Sequence, residues 1–248
     1  MEGIATIYTV NLKDWQDGAH IRRLLAYLPD EVRTRAATYR SERDADRRIV
    51  SDALKRVAAC MENGLRLNEI ELFRDGFGKP SLKGFPDYFF NVSHSMDWVV
   101  CAVSAKGMIG VDVERVGGAE AEAAELCFTP RELAEWKMQP PERRDAFFFE
   151  LWTLKESYAK AVGQGLSIGL SSLETIRHQE TAHIMRQGRV DSGLRLRLVP
   201  LDPDYKCAVC MPADERTVQC RRLFPDEMLA CMKSFDGHSD SDVRRIFH

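Results

Sequence analysis

No stretch of this 248-residue sequence is apolar for long enough to cross a bilayer. Its longest apolar run, WVVCAVSA, falls far short of the roughly 20 residues that a spanning helix needs. The opening segment MEGIATIYTVNLKDW has no basic region leading into an apolar one, so no secretory leader is read there. A disulfide framework is also missing: the seven cysteines are odd in number and irregularly spaced, as reduced thiols would be. Together these absences predict a cytoplasmic protein. The close pair Cys207 and Cys210 lies in YKCAVC, which reads as a strand, where positions three apart face opposite sides. No second close pair completes a zinc site, so both are read as core thiols. Charge of one sign is scarce too. Lys and Arg number 35 against 38 Asp and Glu, a net −3, which does not indicate a generic nucleic-acid binder. Neither a G-x-x-x-x-G-K-[ST] phosphate loop nor a G-x-S-x-G nucleophile elbow occurs.

What is present is an ordinary globular composition, 44% hydrophobic and 29% charged. The charge is uneven, with eight basic and four acidic residues between Arg33 and Arg56. Arginine forks suit phosphate oxygens, although a solvated helix face reads the same way. IATIYTV opens as a strand, followed by helical segments at 18–27 and 45–62; the second carries Ile49, Ala53, Val57 and Cys60 at helical spacing. Strands are predicted in YFFNVSHS, DWVVCAVSA and MIGVDVE, helices at 120–127, 130–138 and 144–163, and further strands at 173–178, 193–199 and 205–211. The change of composition after RVGG divides the chain into an N-terminal lobe, 1–116, a C-terminal lobe, 117–235, and a loose polar tail, 236–248. DWVVCAVS and DYKCAVCM echo one another and suggest two similar α/β lobes.

Four stretches carry candidate chemistry. In GVDVERV, Asp112 and Glu114 stand two apart on a strand and face the same way. Such a pair repels unless a hard cation such as Mg²⁺ joins it; the alternative is a solvated strand end. In the helix ending WTLKESYAK, Phe147, Leu151, Leu154, Tyr158 and Ala161 form a core face. Phe148, Trp152, Glu156 and Lys160 form the neighbouring stripe. Glu156 before Lys160 reads as an ion pair of about 0.2–0.5 kcal/mol, or as a third carboxylate aimed at the metal with a lysine reaching phosphate. In FNVSHS, His94 between Ser93 and Ser95 could hold a phosphate or serve as base to a serine nucleophile. In GFGKP, Gly76 and Gly78 permit close backbone approach beside Lys79.

In this order, the motifs FGKPSL, FNVSHS, GVDVERV and WTLKESYAK closely resemble the 4′-phosphopantetheinyl transferases of the two-lobed, Sfp-type branch, over residues 35–170. Its most specific elements are G-[IV]-D-[IV]-E and W-[ST]-x-K-E-[AS]-x-x-K, both complete here. The resemblance implies an α/β (α+β) fold of two similar lobes related by a pseudo-twofold axis. It implies Mg²⁺ held by Asp112, Glu114 and Glu156, with Glu156, Asp112 and Lys160 as the catalytic set. Coenzyme A phosphates fall to Lys160, Ser93 and His94, with Lys79 and Pro80 along the adenosine side. The 3′-phosphate falls to Arg40 and Arg47, with Arg48 an equally close neighbour of Arg47. Glu132 in FTPREL resembles an additional acid. The implied substrates are coenzyme A and an apo acyl or peptidyl carrier protein, with neither nucleic acid nor membrane as partner. Two lobes in one chain imply a monomer. The other readings are a metal-dependent hydrolase of coenzyme A and a non-catalytic binder of coenzyme A or a carrier.

Overall fold

Alternation decides the first element. Ala5 and Ile7 face one way, Tyr8 and Val10 the other, and all four are buried, so β1 (Gly3–Asn11) is covered on both sides. The computed structural model describes residues 3–15, 18–74 and 79–236. After β1 come α1 (Ala19–Leu25), α2 (Asp30–Ala36) and the long α3 (Glu42–Asn63). Ser41 caps α3 by accepting the Asp44 N–H, and Ile49, Ala53, Val57 and Cys60 are buried as their spacing predicts. A ribbon of β2 (Leu72–Arg74) and β3 (Pro80–Leu82) leads to β4 (Phe89–Ser95), β5 (Trp98–Ser104) and β6 (Gly110–Arg115). Three helices follow: α4 (Ala121–Cys127), α5 (Pro130–Met138) and α6 (Pro141–Val162). The chain then builds β7 (Leu173–His178), β8 (Thr181–Arg186), β9 (Arg189–Val190), β10 (Leu194–Leu198) and β11 (Tyr205–Pro212). It closes with β12 (Glu215–Arg222) and α7 (Pro225–Phe235).

The result is a mixed α/β fold in layers. One sheet runs β12-β1-β5-β4, with β12 parallel to β1; the other runs β6-β11-β10-β8-β7, with β9 paired to β8. The sheets meet face to face, Ile7, Val100 and Ala102 of the first packing with Val111, Val113 and Val209 of the second. Helix α3 covers the outer face of the first sheet, joining Val99, Cys101 and Val103 in one core. Helix α6 covers the outer face of the second, where Leu154, Tyr158 and Ala161 meet Leu196, Ala208 and Cys210. Cys207 and Cys210 therefore belong to cores on opposite faces of β11, and both are free thiols.

The structure departs from a division into consecutive halves at 116 and 117. β12 lengthens the first sheet, and Met228 and Met232 of α7 are buried in the α3 core, so 215–235 packs with the N-terminal part. The expected tail, apart from Asp236, lies outside the described residues, as do Gly76 and Gly78. Among the described residues no helix is long and apolar enough to cross a membrane.

Candidate functional site

The site grows from a seam between two sheet edges. β4 ends the first sheet and β6 ends the second, so one edge of β6 offers backbone N–H groups that no strand pairs. Side chains of β4 take their place. Asn91 Oδ1 accepts the Val111 N–H at 3.0 Å, Ser93 Oγ the Val113 N–H at 3.5 Å, and Ser95 Oγ the Arg115 N–H at 3.2 Å. Each serine then spends its own proton on a β6 carboxylate: Ser93 donates to Asp112 Oδ1 at 2.9 Å and Ser95 to Glu114 Oε2 at 2.8 Å. Since Val111 and Val113 fill the inter-sheet core, strand alternation turns Asp112 and Glu114 to the other face, toward α6.

Helix α6 brings the third carboxylate. Pro141 starts it, Gly163 in the left-handed region ends it, and it lies directly against β6 and β11. Glu156 joins Asp112, Glu114, Ser93, His94, Trp152 and Lys160 around an open pocket of about 330 Å³. All three acids are short of water. Desolvation raises the Asp112 pKa, against the lowering pull of Lys160 and Ser93. Desolvation, then the Asp112 charge, pushes Glu114 up to about 7. The same two causes raise Glu156. Two oxygens, Asp112 Oδ2 and Glu156 Oε1, are buried with no hydrogen-bond partner. Buried carboxylate oxygens left unpaired are costly, and a hard cation is the partner such a set fits.

Lys160 currently fills that role. Its ammonium donates to Asp112 Oδ1 at 2.6 Å and to Ser93 Oγ at 3.0 Å, and with the lysine there no group of three or more acid, histidine or cysteine side chains among the described residues is placed to hold a metal ion. His94 opens to solvent beside the pocket; desolvation of its ring and then the Arg47 charge hold its pKa below the ordinary value. Arg47 is tethered to the Met96 carbonyl at 2.9 Å and to Asp44. A larger cavity, about 500 Å³, lies beside Trp15, Arg22, Arg43 and Asp46, but it mixes acids with bases and holds none of the motif carboxylates.

Other predicted residues stand apart. Lys79 does not line the pocket. Its ammonium donates to the Ala161 carbonyl at 2.9 Å, Lys160 at 3.1 Å and Ile109 at 3.4 Å, tying the end of α6 to the start of β6. Pro80 opens β3. Arg40 is exposed between α2 and α3, and Arg48 pairs with the buried Asp52 at 2.6 Å. Glu132 is bonded to Lys155 at 2.5 Å, outside the pocket lining. Sequence reasoning missed Asn91 and Ser95 as seam residues; the signal was there in N-V-S-H-S, polar at every second position.

Two family models match the chain: the 4′-phosphopantetheinyl transferase superfamily over residues 108–210, and the 4′-phosphopantetheinyl transferase N-terminal family over 13–106. A 4′-phosphopantetheinyl transferase of Bacillus subtilis is 33% identical over 191 residues, covering 76% of this chain and 84% of its own. One from Bacillus pumilus is 32% identical, covering 82% and 88%. The transferase Sfp of Bacillus subtilis strain 168 is 30% identical, covering 76% and 84%. With the motif acids gathered on one pocket and this likeness spanning both sheets, the chain belongs to the 4′-phosphopantetheinyl transferase superfamily.

Proposed function

We propose that the protein transfers the 4′-phosphopantetheine group of coenzyme A to a serine hydroxyl of an apo acyl or peptidyl carrier protein, with Mg²⁺, releasing adenosine 3′,5′-bisphosphate. The observation that carries this reading is the trio Asp112, Glu114 and Glu156 on one pocket, two of its oxygens unpaired, with Lys160 and His94 on the same walls. Mg²⁺ held there would neutralise pyrophosphate charge. Lys160 swings from Asp112 to the phosphates, and His94 with Arg47 behind it steadies the adenosine-side phosphate. Glu156 accepts the proton of the incoming serine, directly or through water. The serine oxygen bonds to the phosphorus that carries the pantetheine arm. The pyrophosphate bond on its far side breaks, and the bisphosphate leaves with that electron pair. Burial, then the Asp112 charge, raises the Glu156 pKa, the direction that makes a carboxylate a better proton acceptor.

The same reading includes two lobes related by a pseudo-twofold axis, in a cytoplasmic monomer. In its support, β5 and β11 are both interior strands carrying the echoed segments, and α3 and α6 each cover one sheet with 22 residues. The lobes are then 1–104 together with 215–235, and 110–214, because β6 heads the second sheet.

The test is the intact mass of an apo carrier protein after incubation with this protein, coenzyme A and Mg²⁺. A gain of one phosphopantetheine, lost on chelation, is expected. No gain with coenzyme A consumed would mean a hydrolase; no gain with coenzyme A bound and intact would mean a binding protein. Metal and proton also compete. Because the folded-state pKa of Glu114 lies at about 7, above its ordinary 4.5, the folded protein keeps a proton there that the unfolded chain has lost. That contribution to stability falls as pH rises through this window, and a cation replaces it above the window. Mg²⁺ should therefore raise Tm clearly at pH 8 and little at pH 5.5. Equal shifts at both pH values would rule this linkage out.

A further inference from the structure

Next to Glu156 on the same helix, but outside the pocket lining, lies a charge that the chemistry does not use. The Lys155 side chain is 0% exposed, and its partner Glu132 is 3% exposed. Lys155 Nζ donates to Glu132 Oε2 at 2.5 Å, to the Cys127 carbonyl at 2.8 Å and to the Leu170 carbonyl at 3.1 Å, so all three ammonium protons are committed. Glu132 is equally committed. Its Oε2 accepts the Thr129 N–H at 2.9 Å and its Oε1 the Thr175 N–H at 2.9 Å. One ion pair thus joins the end of α4, the start of α5, α6, the turn at Leu170 and β7, and Glu132 is buried outside the pocket that the three acids line.

An apolar pair of similar volume would be less costly to bury than two charges. What the pair provides instead is direction: several short bonds, each aimed along a fixed line. Adjacent helical residues point about 100° apart, so holding Lys155 fixes the rotation of α6 about its axis, and that rotation sets where Glu156 points. With a side-chain tip about 5–6 Å from the axis, a turn of roughly 20° would move the Glu156 carboxylate by about 2 Å. Gly110 acts on the other coordinate, by letting α6 approach β6 closely.

We propose that Lys155, locked by Glu132, is a positioning residue that holds α6 at the rotation placing Glu156 against Asp112. The turnover part of this proposal rests on the transferase reading; the placement of Glu156 does not, and metal binding by the free protein tests it separately. The probe is Mn²⁺, followed by the loss of its free-ion electron paramagnetic resonance signal, in the parent, in Lys155→Met and in the double variant Lys155→Met/Glu132→Met. The double variant removes the unpaired buried acid, so it stays folded if the single variant does not. Both variants are expected to bind Mn²⁺ at least about tenfold more weakly, the range for residues that orient metal ligands. Transfer should fall about a hundredfold, with more Mg²⁺ needed for half-maximal rate and the coenzyme A KM within about threefold. A merely structural pair predicts otherwise: the double variant would recover Tm and Mn²⁺ affinity together. Parental Mn²⁺ affinity in a folded variant overturns the proposal, and so does a parent that binds no Mn²⁺. A parent that binds Mn²⁺ but transfers nothing sinks the transferase reading and leaves the Mn²⁺ comparison to decide this one.

Discussion

Glu156→Gln should fold, melt no lower than the parent without metal, and lose turnover by about three orders of magnitude. The two halves of this expectation come from the same observation. Glu156 is 8% exposed, and its Oε1 is buried with no partner. Burial, then the neighbouring Asp112 charge, raises its pKa, which means the fold works against its ionised form. Glutamine keeps the shape and removes the charge, and a neutral amide costs less to bury than a carboxylate. A gain on the order of 1 kcal/mol would raise Tm by about 2–4 °C for a chain of this size. The amide accepts no proton and is a poor partner for a hard cation, and loss of a general base alone costs about 10²–10⁴-fold. The checks are a thermal melt without Mg²⁺ and the rate of mass gain on an apo carrier. Near-parental transfer would remove Glu156 from the mechanism. A lower Tm would show that its carboxylate has a stabilising partner after all.

The parts of this site that could be read from sequence are those fixed by local periodicity. A strand turns every second residue the same way, so Asp112 and Glu114 had to share a face, and they do. A helix repeats each turn, so Trp152, Glu156 and Lys160 had to share a stripe, and all three line one pocket. Cys207 and Cys210 were separable for the same reason. What periodicity cannot supply is the partner across space. Lys160 read as the ion-pair partner of Glu156 or as a lysine reaching phosphate; only the packing of α6 on β6 brings it to Asp112. Lys79, which the resemblance places along the adenosine side, donates to carbonyls at the end of α6, about eighty residues along the chain, a contact that no local pattern encodes. β12 was passed over because ERTVQCRR is mostly exposed, being an edge strand whose place is set by its pairing to β1. α7 was passed over with it, although PDEMLACM spaces Met228, Leu229 and Met232 as a core-facing stripe.

The motif glycine shows how strictly the third dimension constrains a residue that looks incidental in sequence. Gly110→Ala is expected to damage both stability and transfer. A Cβ built on Gly110 would lie 2.0 Å from the Ser157 carbonyl oxygen and 2.5 Å from the Ala161 nitrogen, backbone atoms of α6. Ser157 and Ala161 stand one turn apart on the helix and are buried, so small residues face a missing side chain on both sides of the contact. The obstacle is backbone, so no substitution at Ser157 relieves it. Helix and strand must part by about 1 Å, in a core that is close-packed and tolerates overpacking at a cost of about 3 kcal/mol. For a chain of this length that is about 6–12 °C in Tm. The same displacement separates Glu156, carried by the helix, from Asp112 and Glu114, carried by the strand, and a 1 Å misplacement costs about a hundredfold in rate. Transfer should therefore fall further than the loss of folded protein explains, when both are measured well below the variant's Tm. An alanine variant with parental Tm and parental rate would mean that α6 does not rest on β6 at Gly110, and the placement of all three acids would have to be redrawn.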